Sequence, residues 1–343
     1  MMRKNIFGMD QLELGALMEE LGQKRFRGKQ LFHWLYEKRI QNFAEMTDFS
    51  KDLRTLLNDH FLISHGSVLK IQEDADDFSK KFLIEFYDHE MVESVFMRYD
   101  HGNSLCVSSQ VGCRMGCGFC ASTTDGCVRN LEAGEMLDQV FLVEQTQNER
   151  ISNIVIMGMG EPLDNYENVM RFIRIANTGF AIGQRKITLS TCGLIPQIKV
   201  LAGEHLAINL AISLHSVFQH KREKIMPIAR RYKLPELLET CDEYFRITGR
   251  RITYEYALIK GFNDQNDDIE EITRLFKGKP HHINLIGLNE VAGLPFENSL
   301  SGNQFMRRLQ TNGINVTMRR KIGSDIDAAC GQLRKKNRDK VII

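Results

Sequence analysis

Val111-Gly112-Cys113-Arg114-Met115-Gly116-Cys117-Gly118-Phe119-Cys120 sets three cysteines at a spacing of C-x3-C-x2-C. Three thiolates are one fewer than a closed metal site needs, because iron–sulfur clusters are normally held by four thiolates and structural zinc by four Cys or His ligands. A four-iron cluster bound by three cysteines keeps one iron with a free coordination position, where a small molecule can bind and receive an electron. The competing metal is zinc, with Cys127 or a distant His completing the set. Zinc ribbons and fingers usually arrive as two separated Cys/His pairs, and no second C-x2-C occurs in the chain. The triplet therefore leans toward an iron–sulfur cluster with an open site.

Outward from the triplet, strands and helices alternate. Strand-like runs at Leu105–Ser109, Ile154–Met157, Lys186–Ser190, Ala207–Ser213, Arg251–Leu258 and His282–Ile286 are separated by helical segments near Ala133–Gln147, Tyr166–Asn177, Pro235–Thr248, Ile269–Phe276 and Asn303–Asn312. Repeated β-α units imply an α/β fold with a parallel sheet covered by helices. Six units are too few for a closed eight-fold barrel, so a partial barrel or an open wound sheet is expected, with its active site at the C-terminal strand ends. Upstream, Asp10 to Phe61 has leucines at helical spacing, and Ser50 is placed to cap its third helix. Between them lie short runs of strand character at Val68–Ile71, Phe82–Phe86 and Val92–Met97. The expected organisation is a helical accessory domain over 1–62, a β-rich connecting segment over 63–100 and a core with a C-terminal extension over 101–343.

With 343 residues, 43% hydrophobic and 26% charged, the composition is that of an ordinary globular protein. No apolar run approaches the roughly 20 residues of a membrane span, and Met1-Met2-Arg3-Lys4-Asn5 leads into an amphipathic segment and not a signal core. A cytoplasmic location is expected, where the eight cysteines stay reduced. The net charge of +1 announces no polyanionic partner, but Lys24, Arg25, Arg27, Lys29, Lys38 and Arg39 stand against the single acid Glu37, interleaved with Phe26, Phe32, Trp34 and Tyr36. Basic groups neutralise phosphates and aromatic faces stack on unpaired bases. The same pattern also makes an amphipathic helix with its aromatics in a small core, and the two readings are compatible. A second basic cluster runs from Arg334 to Lys340.

Residues with chemical potential recur where strands end. Gly158-Met159-Gly160-Glu161-Pro162 follows one strand, Ser190-Thr191-Cys192-Gly193 the next, Ser213-Leu214-His215 the one after, and Asn289 the last. Glycines there let backbone approach a ligand, and Glu161 offers a carboxylate to an ammonium. Two further cysteines lie outside the triplet. Cys330 sits in Gly323-Ser324-Asp325-Ile326-Asp327-Ala328-Ala329-Cys330-Gly331-Gln332-Leu333, and Cys106 in the strand leading to the triplet. By itself each reads as a small buried hydrophobe.

Together these residues resemble the radical S-adenosylmethionine superfamily and, within it, the RlmN/Cfr family of RNA methyltransferases. The resemblance spans nearly the whole chain, through Phe26-Arg27-Gly28-Lys29-Gln30 to Trp34, Ser108-Ser109-Gln110-Val111-Gly112-Cys113, Gly158–Leu163, Ser213-Leu214-His215 and Asp325–Leu333. It implies a partial (β/α)6 barrel of the radical S-adenosylmethionine type behind a small helical N-terminal domain. Cys113, Cys117 and Cys120 would hold a [4Fe–4S] cluster whose open iron chelates S-adenosylmethionine. Gly160, Glu161, Ser190, Ser213, Leu214, His215 and Asn289 match the family's contacts to that cofactor. Cys330 matches the cysteine that becomes S-methylated, Cys106 the cysteine that resolves the protein–RNA adduct, and Glu93 a position assigned as proton acceptor.

The chemistry explains the two extra cysteines. An adenine C–H is too strong for productive hydrogen abstraction, and carbon 2 is too poor a nucleophile to attack a sulfonium methyl group. Methylating the activated Cys330 thiolate first, then abstracting hydrogen from that methyl group, goes round both obstacles. The implied substrates are C2 of an adenosine in the peptidyl-transferase centre of 23S rRNA and the adenosine 3′ to the anticodon in tRNA, with a flavodoxin-type electron donor and a monomeric enzyme. The alternatives are methylation of C8, a divergent paralogue acting on another RNA, and a non-catalytic, zinc-stabilised RNA-binding protein. Glu161-Pro162-Leu163 and Ser190-Thr191-Cys192-Gly193 look like the C2 branch. Gly287 and Glu290 stand where relatives usually carry proline, and Ala229 where Asn is usual.

Overall fold

The computed structural model describes residues 3–289, 291, 293–320, 323, 326, 328 and 331–333. The N-terminal helices begin where local chemistry starts them. Asp10 caps α1 (Gln11–Glu20) by accepting from the Leu12 and Glu13 N–H groups, while the Glu13 carboxylate accepts from Asp10 N–H at 2.8 Å. The second helix, α2 (Arg27–Phe32), runs on as a π-helical turn over His33–Lys38 and stops at Arg39, which is left-handed. Ser50 caps α3 (Lys51–His60) through Leu53 N–H, as its position suggested. Leu14, Met18, Leu31, Leu35, Tyr36 and Leu57 of these helices are buried in the same continuous core that underlies the sheet.

One ten-stranded sheet follows. Its first four strands, β1 (Ser67–Glu73), β2 (Lys80–Glu85), β3 (Met91–Tyr99) and β4 (Gly102–Cys106), form an antiparallel meander. From β4 onward the sheet is parallel and in chain order through β5 (Asn153–Ile156), β6 (Ile187–Thr191), β7 (Asn209–Ser213), β8 (Ile252–Leu258), β9 (His281–Gly287) and β10 (Val316–Met318). No pairing joins β1 to β10 among the described residues, so the wall is open. This is the expected partial barrel, six β-α units from β4 to β9, with β10 as a seventh parallel strand that the sequence reading did not mark.

The connecting helices are α4 (Ala133–Gln147), α5 (Tyr166–Thr178), α6 (Ile195–Gly203), α7 (Gln219–Ile225), α8 (Leu234–Thr248), α9 (Asn266–Phe276) and α10 (Gly302–Thr311). Of these, α4 is buried on nearly every face. One side lies on the sheet, while Phe141 on it meets the Phe7 and His65 rings. The Asp138 carboxylate, also on α4, accepts from Gly66 N–H at 3.0 Å and pairs with His65. These contacts fasten the N-terminal segment to the barrel.

Candidate active site

The cysteine loop leaves β4 and is closed at its base by a short antiparallel ladder between Gln110–Gly112 and Cys127–Asn130. Backbone bonds then fix its course. Cys113 N–H donates to the Gly126 carbonyl at 2.9 Å, Gly118 N–H to Ile225 at 2.8 Å, and Ala121 N–H to Gly331 at 2.7 Å. The Thr123 hydroxyl donates to the Cys117 and Cys120 carbonyls.

Cys113, Cys117 and Cys120 line a single cleft of roughly 970 Å³, measured to its open mouth, at the C-terminal ends of the parallel strands. Gly160, Glu161, Ser190, Ser213, His215 and Asn289 line the same cleft. Leu214 is fully buried beside it, its N–H donating to the Glu255 carbonyl at 3.0 Å. Gly287, one of the departures from the family pattern, is on the cleft wall, and Ala229 is buried in the turn after α7.

Burial pushes the Cys113 thiol up to about 12 and Cys117 well above its ordinary value, with Glu161 and the neighbouring thiols adding to both shifts. Thiolates persist in such a place only against a bound cation. A lone zinc ion requires its donors to converge on one point at about 2.0–2.3 Å, and among the described residues no group of three His, Cys, Asp or Glu side chains does so. A four-iron cluster binds each thiolate to a different iron, and three cysteines lining one cleft suit it.

Glu161 is held as firmly as a core residue. Its carboxylate accepts from Leu163 N–H at 3.1 Å and Cys192 N–H at 2.8 Å, linking the loop after β5 to the end of β6, and burial raises its proton affinity. Gly160 before it has φ 103°, and a Cβ there would stand 2.7 Å from the Gln110 backbone nitrogen. Only glycine permits that approach. The Gln110 side chain clamps the same loop, accepting from Glu161 N–H and donating to Asn130 and Asp164, each at 2.8 Å. Its role escaped the sequence reading, and a buried glutamine in an otherwise apolar strand was the signal.

His215 follows β7 by two residues and lines the cleft. Its Nδ1 accepts from Ala257 N–H at 3.0 Å, and the ring meets Phe119 edge-on at 4.9 Å. Burial and the charge of Arg222 lower its pKa to about 3, so the imidazole is neutral at working pH. Glu255, paired in register with Ser213, also lines the cleft. It accepts from the Asn284 side chain at 2.9 Å, and burial raises its proton affinity. Glu255 and the buried Arg222 were not anticipated; an acid inside a β-strand and a basic residue in a polar helix carried no periodic signature.

Cys106 is outside the lining of the cleft but shares its face. The register runs Cys106 to Val155 to Thr188, and Ser190 lies two residues beyond Thr188 on the same side of the sheet. Glu93, two residues from the Val95 that pairs with Cys106, is on that face too. Its carboxylate lies 3.3 Å from Lys81 Nζ, both buried. Cys330, Glu290 and the basic tail lie outside the described residues.

In the N-terminal segment, Phe32 and Tyr36 belong to the core and Trp34 donates to Asp48. Lys24, Arg25, Phe26, Lys29 and Lys38 are exposed, whereas Arg39 is turned inward against Glu144.

Residues 4–63 match the family profile described as the ribosomal RNA large subunit methyltransferase N-terminal domain, and residues 107–276 match the radical SAM superfamily. Proteins named "Probable dual-specificity RNA methyltransferase RlmN" from Clostridium perfringens (strain 13 / Type A) and Clostridium novyi (strain NT) are each 48% identical to the chain. The alignments cover 97% of this chain and 97% and 98% of those proteins, respectively. The chain belongs to the RlmN family of radical SAM RNA methyltransferases. The crystal structure of a radical SAM methyltransferase from Sphaerobacter thermophilus superposes with a TM-score of 0.90 at 39% identity, covering 96% of this chain and 99% of that one. The chain is thus an RNA methyltransferase whose cofactors are a [4Fe–4S] cluster and S-adenosylmethionine, and the zinc-protein reading gives way. Among the described residues no helix is long and apolar enough to cross a membrane.

Proposed function

We propose that this RlmN-family enzyme methylates C2 of an adenosine in the peptidyl-transferase centre of 23S rRNA and of the adenosine 3′ to the anticodon in tRNA. It would act in the cytoplasm as a monomer supplied with electrons by a flavodoxin-type donor. The observation that carries this reading is identity of 48% over nearly the full length of proteins named as dual-specificity RNA methyltransferases.

Cys113, Cys117 and Cys120 would hold the cluster, and Gly160, Glu161, Ser190, Ser213, Leu214, His215 and Asn289 would contact S-adenosylmethionine. When bound and reduced, the pair supplies one-electron cleavage and hydrogen abstraction. Cys330 takes a methyl group by displacement from one S-adenosylmethionine and presents it to the base. The methylene carbon on Cys330 would bond to C2, and the electron left over from that addition would return to the cluster. Cys106 would then take the C2 proton and attack the Cys330 sulfur, so that the sulfur–methylene bond breaks as the disulfide forms and the methylene carbon takes up a proton to become the methyl group. Glu93 would accept a proton on the same face. The shared face of Cys106 and Ser190 supports this assignment, as does the largely apolar lining of the cleft, which limits water around radicals.

The test uses anaerobically prepared enzyme, S-adenosylmethionine, reductant and 23S rRNA fragments or tRNA. Mass spectrometry should find 2-methyladenosine with wild-type protein, and the Cys106→Ala variant should accumulate a covalent protein–RNA adduct. Appearance of 8-methyladenosine, or no adduct with a variant that holds its cluster, would overturn the reading.

A further inference from the structure

Arg222, on the short helix α7, is fully buried. Its Nη2 donates to the Cys192 carbonyl at 2.7 Å and the Ser213 carbonyl at 3.2 Å, and its Nε to the Leu214 carbonyl at 3.2 Å. One side chain thereby ties the ends of β6 and β7, the strands whose Ser190 and Ser213 line the cleft. Among the described residues Arg222 Nη1 has no hydrogen-bond acceptor, and the charged groups that act on the guanidinium are cysteines and no carboxylate. Carbonyl dipoles solvate a guanidinium only in part, and a buried cation without a counter-ion is costly.

The missing negative charge lies next door. Three residues beyond Arg222, the Ile225 carbonyl accepts from Gly118 N–H at 2.8 Å, so the end of α7 is docked on the cysteine loop. Cys192, whose carbonyl Arg222 holds, lines the cleft together with Cys117. A [4Fe–4S] cluster on three thiolates is net anionic and gains one more negative charge on reduction.

We propose that Arg222 is a positioning residue that serves as the buried counter-ion of the cluster, favouring its reduced state. The assignment rests on the family's cofactor and is independent of which RNA base is methylated. Arginine suits the task because it stays charged when buried and its fork reaches three carbonyls at once.

The experiment compares wild type, Arg222→Met and Arg222→Lys after anaerobic reconstitution, reading iron content, the cluster midpoint potential by spectroscopically followed redox titration, and the melting of each cluster-free protein. The expected result is about four irons per wild-type chain, a more negative midpoint for R222M, and a potential returned toward wild type in R222K. Cluster-free R222M should melt close to cluster-free wild type, since removal of an uncompensated buried charge offsets the loss of three carbonyl bonds. Loss of iron from R222M with normal melting of its cluster-free form also supports the role. An R222M cluster titrating at the wild-type potential overturns it. So does a cluster-free R222M that melts far below wild type, which would make the arginine a strut for the strand ends, and so does a lysine that restores nothing. A wild-type protein that assembles no cluster would instead sink the cofactor assignment.

Discussion

His215 is held in the left-handed region, at φ 51°, because the chain must turn sharply where β7 meets the cleft. Its cost is met by three bonds: Ala257 N–H to Nδ1, Asn263 Nδ2 to the His215 carbonyl at 2.6 Å, and His215 N–H to the Glu255 carbonyl at 3.1 Å. Because its folded pKa lies near 3 and its unfolded pKa near 6.5, only the unfolded chain binds this proton between those values. Stability from this group is therefore full above about pH 6.5 and lost as pH falls toward 3, to a limit of about 5 kcal/mol. Urea unfolding of the cluster-free protein from pH 7 to pH 4 should show this loss, and His215→Gln should flatten that limb of the curve. An equally steep acid limb in the variant would remove His215 as its source. The motif residues at this scale were legible because each is a chemically distinctive side chain at a strand end. Gln110, Arg222 and Glu255 were not, since each meets a partner distant in the chain: Glu161 N–H for Gln110, the Cys192 carbonyl for Arg222 and the Asn284 side chain for Glu255.

Between elements, the crossing of α1 and α2 depends on two small residues. A Cβ on Gly28 would stand 2.4 Å from the Gly15 nitrogen and Cα. Gly28→Ala should force the helices apart and cost about 1–3 kcal/mol, the usual range for overpacking, visible as a lower urea midpoint with the slope unchanged. A midpoint equal to wild type would show that the helices separate freely. Leucine spacing made α3 readable, and the Ala133–Gln147 span of α4 was also predicted correctly. The polar α7 and the three-residue β10 left no comparable pattern: α7 is held by Arg222 and by its contact to the cysteine loop, and β10 by its pairing with β9. The meander over β1–β3 was legible as strands, but its continuity with the barrel depends on the register of β4 with β5.

At the scale of the whole molecule, the N-terminal helices and the barrel share one core, with the exposed basic groups Lys24, Arg25 and Lys29 on the outside. If they meet RNA phosphates, changing all three to glutamine should weaken binding of a tRNA or rRNA fragment without altering base selectivity. The slope of log affinity against log salt should fall by roughly two to three, about one per contact. Filter or fluorescence titrations across a salt series measure this, and an unchanged slope would move the RNA footprint elsewhere.

Sequence alone determined the chemistry that the chain can carry and the succession of its elements. Cysteine spacing, strand-end motifs and hydrophobic period are local properties, fixed by bond lengths and by which face of an element meets water. Tertiary structure decided which of those residues share a cleft, that Cys106 and Ser190 stand on one face, that Phe32 and Tyr36 are core while Phe26 is not, and that a buried arginine adjoins the cysteine loop. Those outcomes rest on strand register and side-chain burial. They are set by packing between segments far apart in the chain, so no local pattern encodes them.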